Sequence, residues 1–295
     1  MVRLRTRKVG NGTYYYLEHS LVINGKTTKR ERYLGKSIPK DIERVRSDFE
    51  SELKQEVWYP RLDSIRKNFG KEMRSMPKEA VEKYIDNFSI RFTYNTNRIE
   101  GSMLSLKDTS ALIEHGISPM GRLTRDMDEA EAHNTVFHEM LDTRAELTLG
   151  LILKWHRQLF DKTKPGIAGR LREHRVYITG SKFLPPIPQE VQSRIIEFFR
   201  WYDKAKRLMN PVELAALCHL KFETIHPFTD GNGRVGRLIM NFVLNKNGYP
   251  MLDIPYTNRM SYYNALERAQ TRGVERTFVI WFFKRYVKEN SDYIA

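Results

Sequence analysis

The segment His226-Pro227-Phe228-Thr229-Asp230-Gly231-Asn232-Gly233-Arg234-Val235-Gly236-Arg237 brings together residue types that belong to one kind of chemistry. The imidazole of His226, with an ordinary pKa of about 6.5, is the side chain best suited to take a proton near neutrality. Asp230 offers the oxygen that a Mg²⁺ bridging two phosphates requires. Gly231 and Gly233, with Asn232 between them, let backbone N–H groups converge at the start of a helix, where the dipole favours an anion. Arg234 and Arg237 are three apart on that helix, so two guanidinium forks lie on one face and reach further phosphates. The set reads as base, metal ligand, anion cradle and phosphate clamps. Each residue alone has a plainer reading, as a helix cap, a turn or a solvent-facing arginine, and it is their conjunction that points to function.

Two helices must hold this set. Asn210 caps and Pro211 starts the first, whose apolar stripe is Leu214, Leu217, Cys218, Phe222 and Ile225, and which ends near Pro227. Val235, Leu238, Ile239, Phe242 and Val243 give the stripe of the second, and a short glycine-containing turn joins the two.

The string resembles the signature of the Fic family, His-Pro-Phe-x-(Asp/Glu)-Gly-Asn-Gly-Arg-x-x-Arg, and matches every fixed position. The resemblance implies an all-helical core that moves the AMP part of ATP onto a Ser, Thr or Tyr hydroxyl of a target protein. It implies that His226 deprotonates the hydroxyl and that Asp230 holds Mg²⁺. Gly231, Asn232 and Gly233 would then cradle phosphate, and Arg234 and Arg237 would bind the outer phosphates. Upstream, Thr96-Asn97-Arg98-Ile99-Glu100-Gly101 is by itself a helix ending, with Thr96 and Glu100 on one face and Gly101 as its cap. It is also similar to the family's inhibitory motif, (Ser/Thr)-x-x-x-Glu-(Gly/Asn), in the class whose inhibitory helix precedes the core. That similarity implies an ion pair between Glu100 and Arg237 that keeps the γ-phosphate of ATP out.

Between the two motifs, Val176, Tyr177, Ile178 and Thr179 alternate around Thr179-Gly180-Ser181 and are expected to form one arm of a hairpin ended by Pro185-Pro186. This is similar to the Fic flap, whose edge strand would align an extended target segment. After the signature, Tyr262 to Gln270 looks like the helix that closes the nucleotide site. Gln270 stands where relatives often carry an asparagine toward the nucleotide, and is assigned here to nucleotide binding.

The remaining sequence bounds the reading. The chain has 295 residues, 40% apolar and 12% aromatic, which is enough for one large core or two small ones. One cysteine, Cys218, excludes an intramolecular disulfide and a thiolate zinc cluster, and its place on an apolar stripe marks it as core. No apolar run reaches the roughly 20 residues of a membrane helix, and no signal-peptide core follows Met1, so a cytoplasmic protein with no membrane association is expected. The net charge of +14 fits nucleotides, acidic partners or nucleic acid without choosing among them.

The expected class is mainly α: a helical core with a β-hairpin flap and a small N-terminal β unit. Residues 1–36, with turns at Gly10-Asn11-Gly12 and Asn24-Gly25, form a basic hairpin unit that docks on its neighbour or on a second subunit, or follows a nucleic-acid backbone. Residues 37–89 form a helical region broken at Pro60, residues 90–285 the Fic-like domain, and residues 286–295 a tail. The function expected is an autoinhibited adenylyltransferase using ATP and Mg²⁺, with a protein substrate that includes itself. Two alternatives stand beside it, removal of AMP from a modified target with Glu100 positioning water, and a DNA-binding regulator acting through the basic hairpin.

Overall fold

The structure is a computed structural model and describes residues 2–23 and 26–294. The chain divides into two compact units, Met1–Ser64 and Ile65–Ala295, and the division falls within the helix Tyr59–Ser75.

The first unit is a sheet of three antiparallel strands in sequence order, β1 (Arg3–Val9), β2 (Gly12–Ile23) and β3 (Lys26–Gly35), followed by the helix α1 (Ile42–Val57). The expected hairpin is therefore extended by a third strand, because both turns read from the sequence separate β-forming runs. The first lies at Gly10, with φ 59°, and Asn11, and the second, Asn24-Gly25, falls outside the described residues. Leu17 is paired with Leu4 and Arg32, and is fully buried with Val2 against Phe49 and Leu53 of α1. On the opposite face Tyr33 packs at tilted ring angles against Tyr14 and Tyr16, and Glu18 sits among Arg5, Arg7 and Lys29. Arg7 also pairs with Glu31, while Arg30 and Arg32 pair with Glu56 and Glu52 of α1. Much of the strand charge is thus met by carboxylates inside the unit itself.

Pro60 lies in the first turn of α2 (Tyr59–Ser75), where a missing N–H costs nothing, and the break falls at Trp58 before it. The second unit then continues as α3 (Lys78–Ile99), α4 (Leu106–His115), α5 (Thr124–Asp142), α6 (Leu149–Phe160), α7 (Pro188–Ala205), α8 (Pro211–Ile225), α9 (Asn232–Lys246), α10 (Arg259–Arg272) and α11 (Arg276–Glu289). Its centre is the pair α8 and α9, in which nearly every residue is buried, polar ones included. The two central helices are buried nearly all round because α3, α5, α6, α7, α10 and α11 cover them. The last helix buries Phe278, Phe282, Phe283 and Tyr286 and runs on to Glu289, beyond the start of the expected tail. No helix among the described residues is long and apolar enough to cross a membrane.

Candidate active site

The Asn210 side chain accepts the N–H of Val212 at 2.9 Å, and Pro211 opens α8. At the other end His226 terminates α8 in the left-handed conformation, φ 49° and ψ 60°, the one non-glycine residue with positive φ among those described. Its N–H still donates to Phe222 O at 2.9 Å. Such a conformation is held only when its surroundings over-determine it, and here two groups do so. Asn232 closes the turn by accepting Phe228 N–H and donating to Phe228 O, each at 2.9 Å. Arg172, 3% exposed, donates its Nε–H to His226 O at 2.7 Å and its backbone N–H to Pro227 O at 3.0 Å. Gly231 begins α9 with φ 81°, and a side chain there would overlap the Phe160 ring.

The His226 ring lies with Nδ1 3.4 Å from Glu223 O and 3.6 Å from Glu223 Oε2. Burial lowers its pKa to about 4, so the imidazole is neutral and able to accept a proton at pH 7. Burial also pushes Glu223 up to about 8, which keeps that carboxyl protonated near neutrality.

Arg237 is 1% exposed and reaches three residues. It donates to Glu100 Oε1 at 2.6 Å, to Thr96 Oγ1 and O at 3.3 Å, and to the Tyr262 hydroxyl at 3.4 Å. Glu100 caps the end of α3, and its carboxylate lies so close over Gly233 that a Cβ there would overlap it. The negative group therefore covers the first turn of α9, where an anion is favoured. Thr96 and Glu100, 137 or more residues from Arg237 in sequence, are brought onto it together.

Arg234 sits lower in the same helix, over the Phe160 ring at 4.5 Å, with its guanidinium on Glu129 and 3.7 Å from Asp230 Oδ1. Asp230 Oδ1 accepts Gly231 N–H at 2.6 Å and Oδ2 accepts Lys164 Nζ at 2.7 Å. Burial alone would raise the Asp230 pKa, but Arg234 and Lys164 outweigh it and hold the carboxyl below its usual range. His156 supports the loop from beneath. Its ring stacks on Phe228 at 3.8 Å, accepts Gly169 N–H on Nδ1 and donates its Nε2–H to Asp230 O. Among the described residues no group of three or more metal-ligating side chains exists. Asp230 thus supplies one hard oxygen just ahead of the α9 N-terminus, which fits an ion that takes its other ligands from a bound substrate and water and does not fit a resident metal centre.

Gln270 is half-buried on α10 and lines a cavity of about 390 Å³ with Phe198, Trp201, Ile225 and Lys221. The segment expected as a hairpin is different. Val176 to Pro186 holds no strand; Ser181 N–H donates to Ile178 O in a turn with Gly180 at φ 78°. The physical reason is that Arg172 takes the place of a ladder, donating to His174 O at 3.0 Å and Pro186 O at 2.7 Å, while Pro185 and Pro186 have no N–H to give. Tyr177 and Thr179 point outward while Val176 and Ile178 are half-buried, so the alternation read from the sequence exists without a paired partner.

Residues 146–244 match the model of the Fic/DOC family. The chain carries a Fic domain. Protein adenylyltransferase fic-1 of Caenorhabditis briggsae is 33% identical over 219 residues, covering 72% of this chain and 42% of that protein. Protein adenylyltransferase Fic of Nematostella vectensis is 32% identical over 212 residues, 70% of this chain and 47% of that one. The chain thus spans less than half the length of these curated relatives. Among solved structures, Fic-1 of C. elegans (residues 134–508) superposes with a TM-score of 0.71 at 26% identity, over 86% of this chain and 75% of that one. A Fic domain containing signaling protein from Bacteroides thetaiotaomicron gives 0.68 at 27% identity, over 78% and 95%. In this Fic domain the helices and the turn carry the signature residues into one place. Lys164, Glu129, Arg172 and Glu223, which also shape that place, were not singled out by the sequence. Of these only Glu223 carried a usable signal, its spacing of three from His226 on one helix face.

Proposed function

We propose that the protein is an autoinhibited adenylyltransferase that moves AMP from ATP to a hydroxyl of a protein substrate, itself included. The observation that carries this reading is the Glu100 carboxylate seated over Gly233 and bonded to Arg237 at 2.6 Å, because a carboxylate held there marks the place where a phosphate would bind. The relatives named as adenylyltransferases support it.

In the proposed reaction the phosphates of ATP lie along the N–H groups of the α9 N-terminus, with Arg237 as the outer clamp once Glu100 withdraws. The target hydroxyl oxygen attacks the α-phosphorus, its proton passes to the neutral His226 ring, and the bond to the β-phosphate oxygen breaks to release pyrophosphate. A Mg²⁺ held by Asp230 and the phosphates would neutralise charge on that leaving group. Arg234, tied to Glu129, acts in this scheme by fixing the Asp230 side of the turn, while Gln270 and its cavity are the proposed seat of the base. Asn232 contributes by pinning Phe228, so the cradle itself consists of backbone N–H groups. The Val176–Thr179 segment, unpaired on its outer side, is the proposed guide for the target chain.

The test is mass spectrometry of the Glu100→Gly protein incubated with ATP, Mg²⁺ and a lysate. An adduct with the mass of AMP on Ser, Thr or Tyr of this protein or of another is expected. Transfer of phosphate alone, or no adduct, would remove the reading.

A further inference from the structure

The carboxylate assigned to the metal already has a cation. Lys164 Nζ lies 2.7 Å from Asp230 Oδ2 and 3.0 Å from Glu129 Oε1, bridging the two acids, and 4.9 Å from the centre of the Phe160 ring. The other oxygens are engaged as well. Glu129 Oε2 takes Arg234, and Asp230 Oδ1 takes Gly231 N–H at 2.6 Å with Arg234 at 3.7 Å. The root of the lysine is fixed, since its backbone N–H donates to Phe160 O at 2.8 Å at the end of α6. The tip is partly open, with 29% of the side chain exposed, so the ammonium can leave along its own flexible stem.

A Mg²⁺ at its usual 2.0–2.1 Å from an Asp230 oxygen would meet this ammonium inside the same coordination space. With Oδ2 held by the ammonium and Oδ1 by Gly231 N–H, an incoming ion must displace the lysine or sit against its charge, and protein ligands alone offer the ion little in exchange. Phosphates change the balance, because they bring oxygens for the metal and a second seat for the displaced ammonium.

We propose that Lys164 is the resident cation of Asp230. It holds the carboxylate in position in the nucleotide-free protein and excludes a free divalent ion, which enters only together with a polyphosphate. Lys164 is in this sense a positioning residue that sets the order of binding. The inference rests on the assignment of Asp230 as the metal carboxylate made under the proposed function.

The test uses the full chain and Mn²⁺ alone, followed by electron paramagnetic resonance, so that no transfer activity is needed. Lys164→Met, and Lys164→Gln as a second variant should the first melt early, should bind Mn²⁺ at least tenfold tighter than the wild type without nucleotide. Lys164→Arg, which keeps the charge, should stay as weak as the wild type. Adding Asp230→Asn to Lys164→Met should abolish the gain. Equal Mn²⁺ affinity in wild type and both neutral variants would overturn the proposal, as would a gain that survives Asp230→Asn. The underlying assignment is tested separately by Mn²⁺ retained with a non-transferable ATP analogue in the Glu100→Gly protein. If Asp230→Asn leaves that retention unchanged, Asp230 is not the ligand, whatever Lys164 does.

Discussion

Replacing Glu100 by glycine should release the site, and the structure allows the size of the effect to be worked out. The carboxylate makes one charge-assisted hydrogen bond of 2.6 Å to a guanidinium that is 1% exposed, and its own side chain is 27% exposed. Such bonds contribute about 1.5–3 kcal/mol. Taking the restraint on phosphate binding as about 2 kcal/mol, the fraction of molecules competent for ATP should rise by a factor of about 30. The loss also leaves Arg237 buried with Thr96 and Tyr262 but no counter-charge, so the free protein should lose about 1–3 kcal/mol of stability. ATP should restore it, because phosphate replaces the missing anion. Incorporation of label from ATP carrying it at the α-phosphate, measured against time for wild type, Glu100→Gly and Glu100→Gln, gives the first number. Thermal melting with and without ATP gives the second. Equal labelling in wild type and Glu100→Gly, with melting of both unmoved by ATP, would refute the argument that this carboxylate stands in a phosphate's place.

Gly231→Ala should destabilise the protein by about 2–5 kcal/mol, since it adds left-handed strain to a clash with Phe160. Gly248→Ala, with φ 71° and open space around it, should lose only the strain of about 1–2 kcal/mol; urea midpoints of the two variants make the comparison. Stability should also follow a dome in pH. His133 and His219 are lowered to about 3, and His156 and His226 to about 4, by burial, so the unfolded chain binds more protons and stability falls as pH drops below about 6.5. Glu223, raised to about 8, and Asp253, raised to about 7, act with the opposite sign. Their contribution is present below their unfolded pKa and is lost as pH rises through the folded one. Between about 4.5 and 6.5 four histidines outweigh two carboxyls, and above 6.5 only the carboxyls titrate, which places the maximum near 6.5 to 7. Denaturation across pH 4 to 9 measures it, and stability still rising at pH 8 would contradict the assignment.

The central helices and their turn were legible because local rules and burial agree there. Asn210 and Pro211 start α8, the apolar stripes have helical spacing, and only glycine suits the conformation at 231. The Glu100–Arg237 contact followed from resemblance and could not have come from periodicity, since 137 residues separate the partners. The segment 176–186 departs from the expected hairpin pairing for a reason of the same kind. Alternation reports which side chains face inward, whereas a strand also needs a neighbour, and here Arg172 occupies the carbonyls a neighbour would use. Lys164 was invisible for want of any pattern: one lysine among three charged residues near the end of α6 meets Asp230 only through the packing of α6 beneath the turn. The partner of Asn232 lay beyond residue-type reasoning, because its amide closes on the Phe228 backbone four residues earlier.

The measurement that bears most directly on the whole account compares Glu100→Gly with Glu100→Gly/His226→Ala, using ATP labelled at the α-phosphate in one series and at the γ-phosphate in another. The account predicts α-label on protein in the first variant, a loss of about 10² to 10⁴ in rate in the second with ATP binding retained, and no γ-label on protein in either. Protein-bound γ-label, or α-label arriving at a near-normal rate without the imidazole, would contradict it.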